Sequence, residues 1–130
     1  MILCIQLTFV VNDAKKNRDN TLDIIKTQLK GNSIIIKNYL TLENIENIEK
    51  LYLLSTVNRI TIISTDGDVI FDSSSDTKES HKYRAEVVEA LEKTEGFQVR
   101  YSETLRQNMI YYSVLHNNLV IRIAQNYSDI

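Results

Sequence analysis

The sequence predicts an α+β fold, a five-stranded antiparallel sheet with a long N-terminal helix, and three observations predict it. Apolar residues recur at helical spacing through the first third of the chain, and no strand signal precedes Arg59. After Arg59 come five short runs of strand-like residues, interrupted by a single helical pattern. The links between the last three runs are too short for any arrangement but antiparallel neighbours. At 130 residues the chain suits one domain with one core, divided into a helical region, 1–57, and a sheet core, 58–130, holding a short helix at 84–93.

The long helix is expected over residues 7–40, where Leu22, Ile25, Leu29, Ile36 and Leu40 form one stripe and residues 13–20 are strongly polar. Such a helix would be about 45 Å long, more than a domain of this size needs for its core, so part of it should project or pair with a second copy. The stripe fits either a two-helix seam or packing on the domain's own sheet. Gly31 and Asn32 mark the place for a break or kink. A second helix is expected over 42–55, with Thr41 as N-cap and Ile45, Ile48 and Tyr52 on its inner face.

Residues 59–64, RITIIS, read as a strand, and Asp66-Gly67 supplies a tight turn into a second strand at 69–72. A polar loop spans 73–80. In the helix at 84–93, Arg84, Val87, Val88 and Leu91 share one face, Glu86 complements the helix dipole, and Gly96 ends the turn. Strands follow at 97–105, 109–116 and 119–125. Ile60, Ile62 and Ile63, and the run 109–114, are apolar on both strand faces, which predicts a sheet covered on both sides. The long helix should cover one face and the excursion at 73–93 the other.

Composition excludes several classes. The fractions of hydrophobic (43%) and charged (25%) residues are those of globular proteins. A net charge of −2 and a pI near 5.7 offer no basic face, so no nucleic-acid partner is expected. Cys4 is the sole cysteine, which precludes an intramolecular disulfide or a cysteine metal cluster. Residues 1–11, MILCIQLTFVV, are apolar but reach only about half of the roughly 20 residues a bilayer span requires. They lack the flanks of a signal peptide, and read as a buried helix start or as the outer end of a transmembrane helix.

No catalytic constellation emerges, and no cofactor or metal is expected. His81 and His116 have no carboxylate at ligand spacing, and phosphate loops, nucleophile elbows and zinc motifs are missing from the sequence. Asp66, Asp68, Asp72 and Asp76 are interrupted by a strand and cannot converge on calcium. Arg100 and Arg122 are more informative, because each sits mid-strand where both faces should be covered. A buried guanidinium needs a carboxylate, for which Glu86, Glu89 or Asp72 would serve, or an anionic ligand. Tyr101, Tyr111 and Tyr112 suit either a pocket lining or an ordinary core.

Four segments taken together carry a resemblance: RITIISTDGDVIFDS from Arg59, HKYRAEVVEAL from His81, RYSETLRQNMIYY from Arg100 and VIRIA from Val120. In this order they resemble the extracytoplasmic PAS-like domain of the phosphate-regulon (PhoR-type) sensor histidine kinases of Gram-positive bacteria, over about residues 58–124. The resemblance implies a PAS-like fold of the PDC/Cache kind, on the outer face of the cell membrane between two transmembrane helices. It further implies a homodimer through the long N-terminal helix and a kinase elsewhere in the parent protein, this domain not being an enzyme. Ser80, Tyr83 and Ala85 depart from the family pattern at the start of the short helix and remove an N-cap side chain. His81, Arg84, Glu86, Arg100, Tyr101, Ser102 and Arg122 are retained.

The residues expected to bind a ligand or carry its signal are His81, Arg84, Arg100, Tyr101, Tyr112 and Arg122, facing a small-molecule or cell-envelope ligand. The alternatives are a ligand-free dimerisation or protein-interaction module and an intracellular PAS-like regulatory domain. An Arg- and Tyr-lined pocket would favour sensing, and a filled core with paired arginines would favour interaction alone.

Overall fold

The computed structural model describes residues 2–42, 58–74, 80–102 and 106–127, with side chains from residue 12 to residue 40 in the first of these stretches. The expected second helix at 42–55 lies almost wholly outside them, as do Asp76 and the side chain of Cys4. The elements are α1 (Ile2–Leu42), β1 (Arg59–Ser64), β2 (Val69–Asp72), α2 (Ala85–Lys93), β3 (Glu95–Ser102), β4 (Gln107–His116) and β5 (Leu119–Asn126). All five strands form one antiparallel sheet in the order β2-β1-β5-β4-β3, so the last strand in sequence lies at its centre.

Helix α1 runs unbroken through Gly31 and Asn32, where a break or kink was expected. Intact hydrogen bonding on either side carries the helix past one glycine, whose cost is only about 1 kcal/mol. Asn32 instead reaches out of the helix: its side-chain amide donates to Asn58 Oδ1 at 2.9 Å, and Asn58 donates to Gln125 Oε1 at 3.3 Å. This amide chain ties α1 to the end of β5.

The apolar stripe of α1 is spent on the protein's own sheet. Ile25, Leu29 and Ile36 are buried against Ile60, Ile62, Phe71, Ile110, Tyr112, Ile121 and Ile123, with Leu22, Tyr39 and Leu40 at the margin. These sheet residues share one parity along their strands and therefore one face. Strands of eight to ten residues span about 27–34 Å, whereas the 41 residues of α1 span about 62 Å. Residues 12–20 are exposed all around the helix, so this stretch stands clear of the sheet.

The opposite face is covered by α2, through Val87 and Ala90 on Ile63 and Val120. The helix starts one residue after Arg84, its N-cap, which makes no side-chain capping bond. It ends on Thr94 in the left-handed conformation (φ 74°), whose N–H donates to the Ala90 carbonyl at 2.9 Å. Gly96 was expected to end this helix, but it lies inside β3, which begins two residues earlier than the sequence pattern suggested. Its role is close approach: a Cβ there would collide with the Glu86 carbonyl oxygen and come within 2.8 Å of Glu89 Cβ. The hairpin of β1 and β2 has the expected bounds, with Gly67 at φ +90° and the Lys82 backbone packed over it.

Candidate functional site

The face under α2 differs in chemistry from the face under α1. Arg59, Thr61, Asp72, Tyr111, Ser113, Arg122 and Arg100 project from all five strands onto it, and Glu86 points down from α2. Glu86 stands in the first turn, where a carboxylate gains from the helix dipole. Yet Glu86 is fully buried, because Gly96 lets that turn settle directly on β3.

Glu86 holds both mid-strand arginines. Arg100 donates from Nη1 to Oε2 at 2.5 Å and from Nη2 to Oε1 at 2.9 Å, and Arg122 donates from Nη1 to Oε1 at 3.1 Å. The guanidinium of Arg100 also lies 4.1 Å from the centre of the Tyr111 ring, and that of Arg122 lies 5.0 Å from it, so the ring's negative face meets two cations. A second pair closes the β1–β2 edge: Arg59 donates to both oxygens of Asp72, at 3.0 and 2.6 Å, and Asp72 accepts from the Ser74 N–H at 3.1 Å.

Burial and pairing compete at each carboxylate. Desolvation pushes the Glu86 carboxyl up, but the hydrogen bonds from Arg100 and the charge of Arg122 outweigh it and hold the group below its ordinary range. Asp72 shows the same balance, with Arg59 and Ser74 prevailing over burial. The two arginines on Glu86 fare differently. Arg100, one-third exposed and doubly bonded, is raised, whereas desolvation of Arg122, 3% exposed and singly bonded, outweighs Glu86 and lowers it. Glu86 thus serves Arg100 first and compensates Arg122 incompletely.

Of the six residues expected at a ligand site, Arg100 and Arg122 come together. Tyr112 lies on the other face in the α1 core, where its hydroxyl donates to Glu95 Oε2 at 2.8 Å. Tyr101 alternates with Arg100, points away from the cluster and is 56% exposed. Arg84 is exposed at the helix N-cap. His81 is buried, and its backbone N–H donates to the Gly67 carbonyl at 2.8 Å, which fastens the loop before α2 over the β1–β2 turn.

Sequence reasoning named Glu86 and Asp72 as partners but assigned no role to Arg59, Thr61 or Ser113. Arg59 is recoverable from its position: it is the diagonal neighbour of Asp72 once Thr61 is aligned opposite Asp72 in the hairpin. Thr61 and Ser113 flank Arg122 on the adjacent strands, which requires the registers of β1, β4 and β5 together. Among the described residues no group of His, Cys, Asp and Glu is placed to hold a metal ion, and no helix is long and apolar enough to cross a membrane. No family model, curated protein or solved structure matches the chain.

Proposed function

We propose that this chain is the extracytoplasmic sensing domain of a membrane-bound histidine kinase, built on a PAS-like sheet, in which events on the α2 face are passed through the sheet to α1. The observation that carries the reading is the place of β5. The strand presents Arg122 to the polar cluster on one face and Ile121 and Ile123 to α1 on the other. A displacement of the strand at Arg122 therefore moves the residues on which Ile25, Leu29 and Ile36 rest, and the Asn32–Asn58–Gln125 chain adds a polar tie between the same two elements. A ligand or partner protein shifts such an equilibrium only by its difference in affinity between the two states, about 1.4 kcal/mol for each tenfold change.

The stretch of α1 clear of the sheet suits transmission toward a membrane helix, and the outer side of α1 suits a second copy. Because the Ile25–Leu29–Ile36 stripe is already used, the dimer contact falls on an exposed flank, about 110° round the helix from that stripe. There Ile24 and Ile35 are 60% and 54% exposed and lie eleven residues apart, close to three full turns, with open space beside Gly31 between them. The purified chain is expected to sediment as a dimer at high micromolar concentration, and Ile24→Asn with Ile35→Asn to make it a monomer with unchanged secondary structure.

A second reading, a dimerisation module without any ligand, draws on the pairing of Arg100 and Arg122 by Glu86. Location separates the sensor from an intracellular regulatory domain. Expressed in its native host, the protein is expected in the membrane fraction with this domain cleaved by protease added outside the cell. Recovery in the cytosol, protected from external protease, would refute the sensor reading.

A further inference from the structure

The sheet ends on two edge strands, β2 and β3, and they are built differently. Strand β2 is four residues long, and its register with β1 shifts between Ile62 and Ile63. A short, irregular edge resists the addition of another strand. Strand β3 has eight residues in unbroken register with β4, from Glu95 opposite Val114 to Ser102 opposite Gln107. It carries no bulge, proline or lysine, the devices that commonly close an edge. Its one cation, Arg100, is drawn onto the α2 face by Glu86.

The ladder fixes which groups this edge offers. Leu115 N–H donates to the Thr94 carbonyl at 2.8 Å, and bonded pairs alternate along an antiparallel ladder. Gly96, Gln98, Arg100 and Ser102 therefore turn their backbone groups to β4, whereas Phe97, Val99 and Tyr101 turn theirs outward. Among the described residues none bonds to these three N–H and three C=O groups. The side chains of the same three residues lie on the α1 face. Phe97 and Val99 are half-buried at the margin of the α1 core, and Tyr101 is 56% exposed. The other face of the strand is polar, with Gln98 bonded to Glu89 and Arg100 to Glu86.

We propose that the β3 edge receives an extended peptide segment of a partner protein as a sixth strand. The inference rests on the sensor reading and names the class of partner for it. Main-chain bonds to Phe97, Val99 and Tyr101 hold the peptide, and the two strand faces select its side chains. Apolar residues at alternate positions extend the Phe97–Val99–Tyr101 row, and polar residues between them lie beside Gln98 and Arg100. The sensor reading disfavours a second copy in this seat. Two β3 strands paired antiparallel about a two-fold axis normal to the sheet would reverse one α1 against the other, whereas a membrane sensor needs both helices to run toward one bilayer. Because Arg100 belongs to the strand that is joined, occupancy reaches the Glu86 cluster.

The test selects random peptides of the length of β3, displayed on phage, on the whole chain. The enriched peptides are expected to alternate apolar and polar residues. In the free chain the N–H groups of Phe97, Val99 and Tyr101 should exchange rapidly with deuterium, and those of Gln98 and Arg100 slowly. An enriched synthetic peptide should protect the first set and leave the second unchanged. Val99→Pro removes an outward donor and no ladder bond, the setting in which an edge strand tolerates proline, and should weaken binding about tenfold. On the unaltered chain, N-methylation of one alternate set of peptide nitrogens should abolish binding, and methylation of the other set should be tolerated. No enrichment, peptides that leave the three N–H groups exchanging, or equal effects of the two methylated sets would overturn the proposal. So would protection in the free chain: lost on dilution, it would assign the edge to a second copy, and kept on dilution, to another part of the chain. Membrane topology is measured without any peptide, so failure here leaves the sensor reading to be judged on its own test.

Discussion

Glu86 decides the character of the molecule at the residue scale. One carboxylate at 0% exposure compensates two guanidinium groups, so its loss leaves two positive charges facing the Tyr111 ring without that carboxylate. Breaking a buried pair from one side costs about 3–5 kcal/mol, and Glu86→Gln is expected to lower stability to urea by that amount. A loss under about 1 kcal/mol would mean that the arginines find compensation elsewhere. Acid should act through the same residue. Glu86 and Asp72 both titrate below their ordinary range in the folded chain, so the unfolded chain binds more protons as the solution is acidified. Their contribution is complete above the unfolded carboxylate range and is lost as pH falls through the folded values. Urea midpoints measured from pH 6 down to pH 2.5 should therefore decline most steeply below about pH 4.5, and Glu86→Gln should flatten that decline.

At the scale of elements, the α2 turn on β3 is the contact that puts Glu86 in place. Gly96→Ala adds a Cβ against the Glu86 carbonyl, so α2 must lift or β3 must shift. Overpacking of this kind costs about 1–3 kcal/mol, and the Arg100 pair should loosen with it. An Arg100 side-chain N–H resonance that broadens in Gly96→Ala, beside the loss in midpoint, checks both effects. This is also where the sequence was least legible. The hairpin bounds at 59–64 and 69–72 could be read because Asp66-Gly67 punctuates them, and the apolar runs of Ile60, Ile62 and Ile63 and of residues 109–114 foretold a sheet covered on both faces. The end of α2 could not, because Thr94 takes a left-handed conformation usually left to glycine, while the nearby Gly96 serves packing instead. Among the site residues, Arg100 and Arg122 announced themselves as cations in apolar strands. Thr61 and Ser113 did not, since a lone hydroxyl in a strand gains its meaning only from what stands across from it. Tyr112 misled for the same reason: its adjacency to Tyr111 in sequence puts the two rings on opposite faces.

At the scale of the whole molecule, one sheet joins two unlike layers. The α1 side is apolar and fixed by interlocking isoleucines, and the α2 side is charged and incompletely paired, so change is expected to originate on the second and be read out by the first. The exposed stretch of α1 at 12–20 is the part through which that change would leave the domain. If the chain is the sensing domain of a membrane-bound histidine kinase, as proposed, the most direct measurement is of kinase output from the parent protein after insertions between Lys16 and Asn17. One inserted alanine turns everything beyond it by about 100°, and seven restore the phase to within about 20°, with the sheet contacts untouched in both. If α1 carries the signal, one alanine changes or locks the output and seven alanines return it toward the native response. Equal output from all three proteins would contradict transmission through α1.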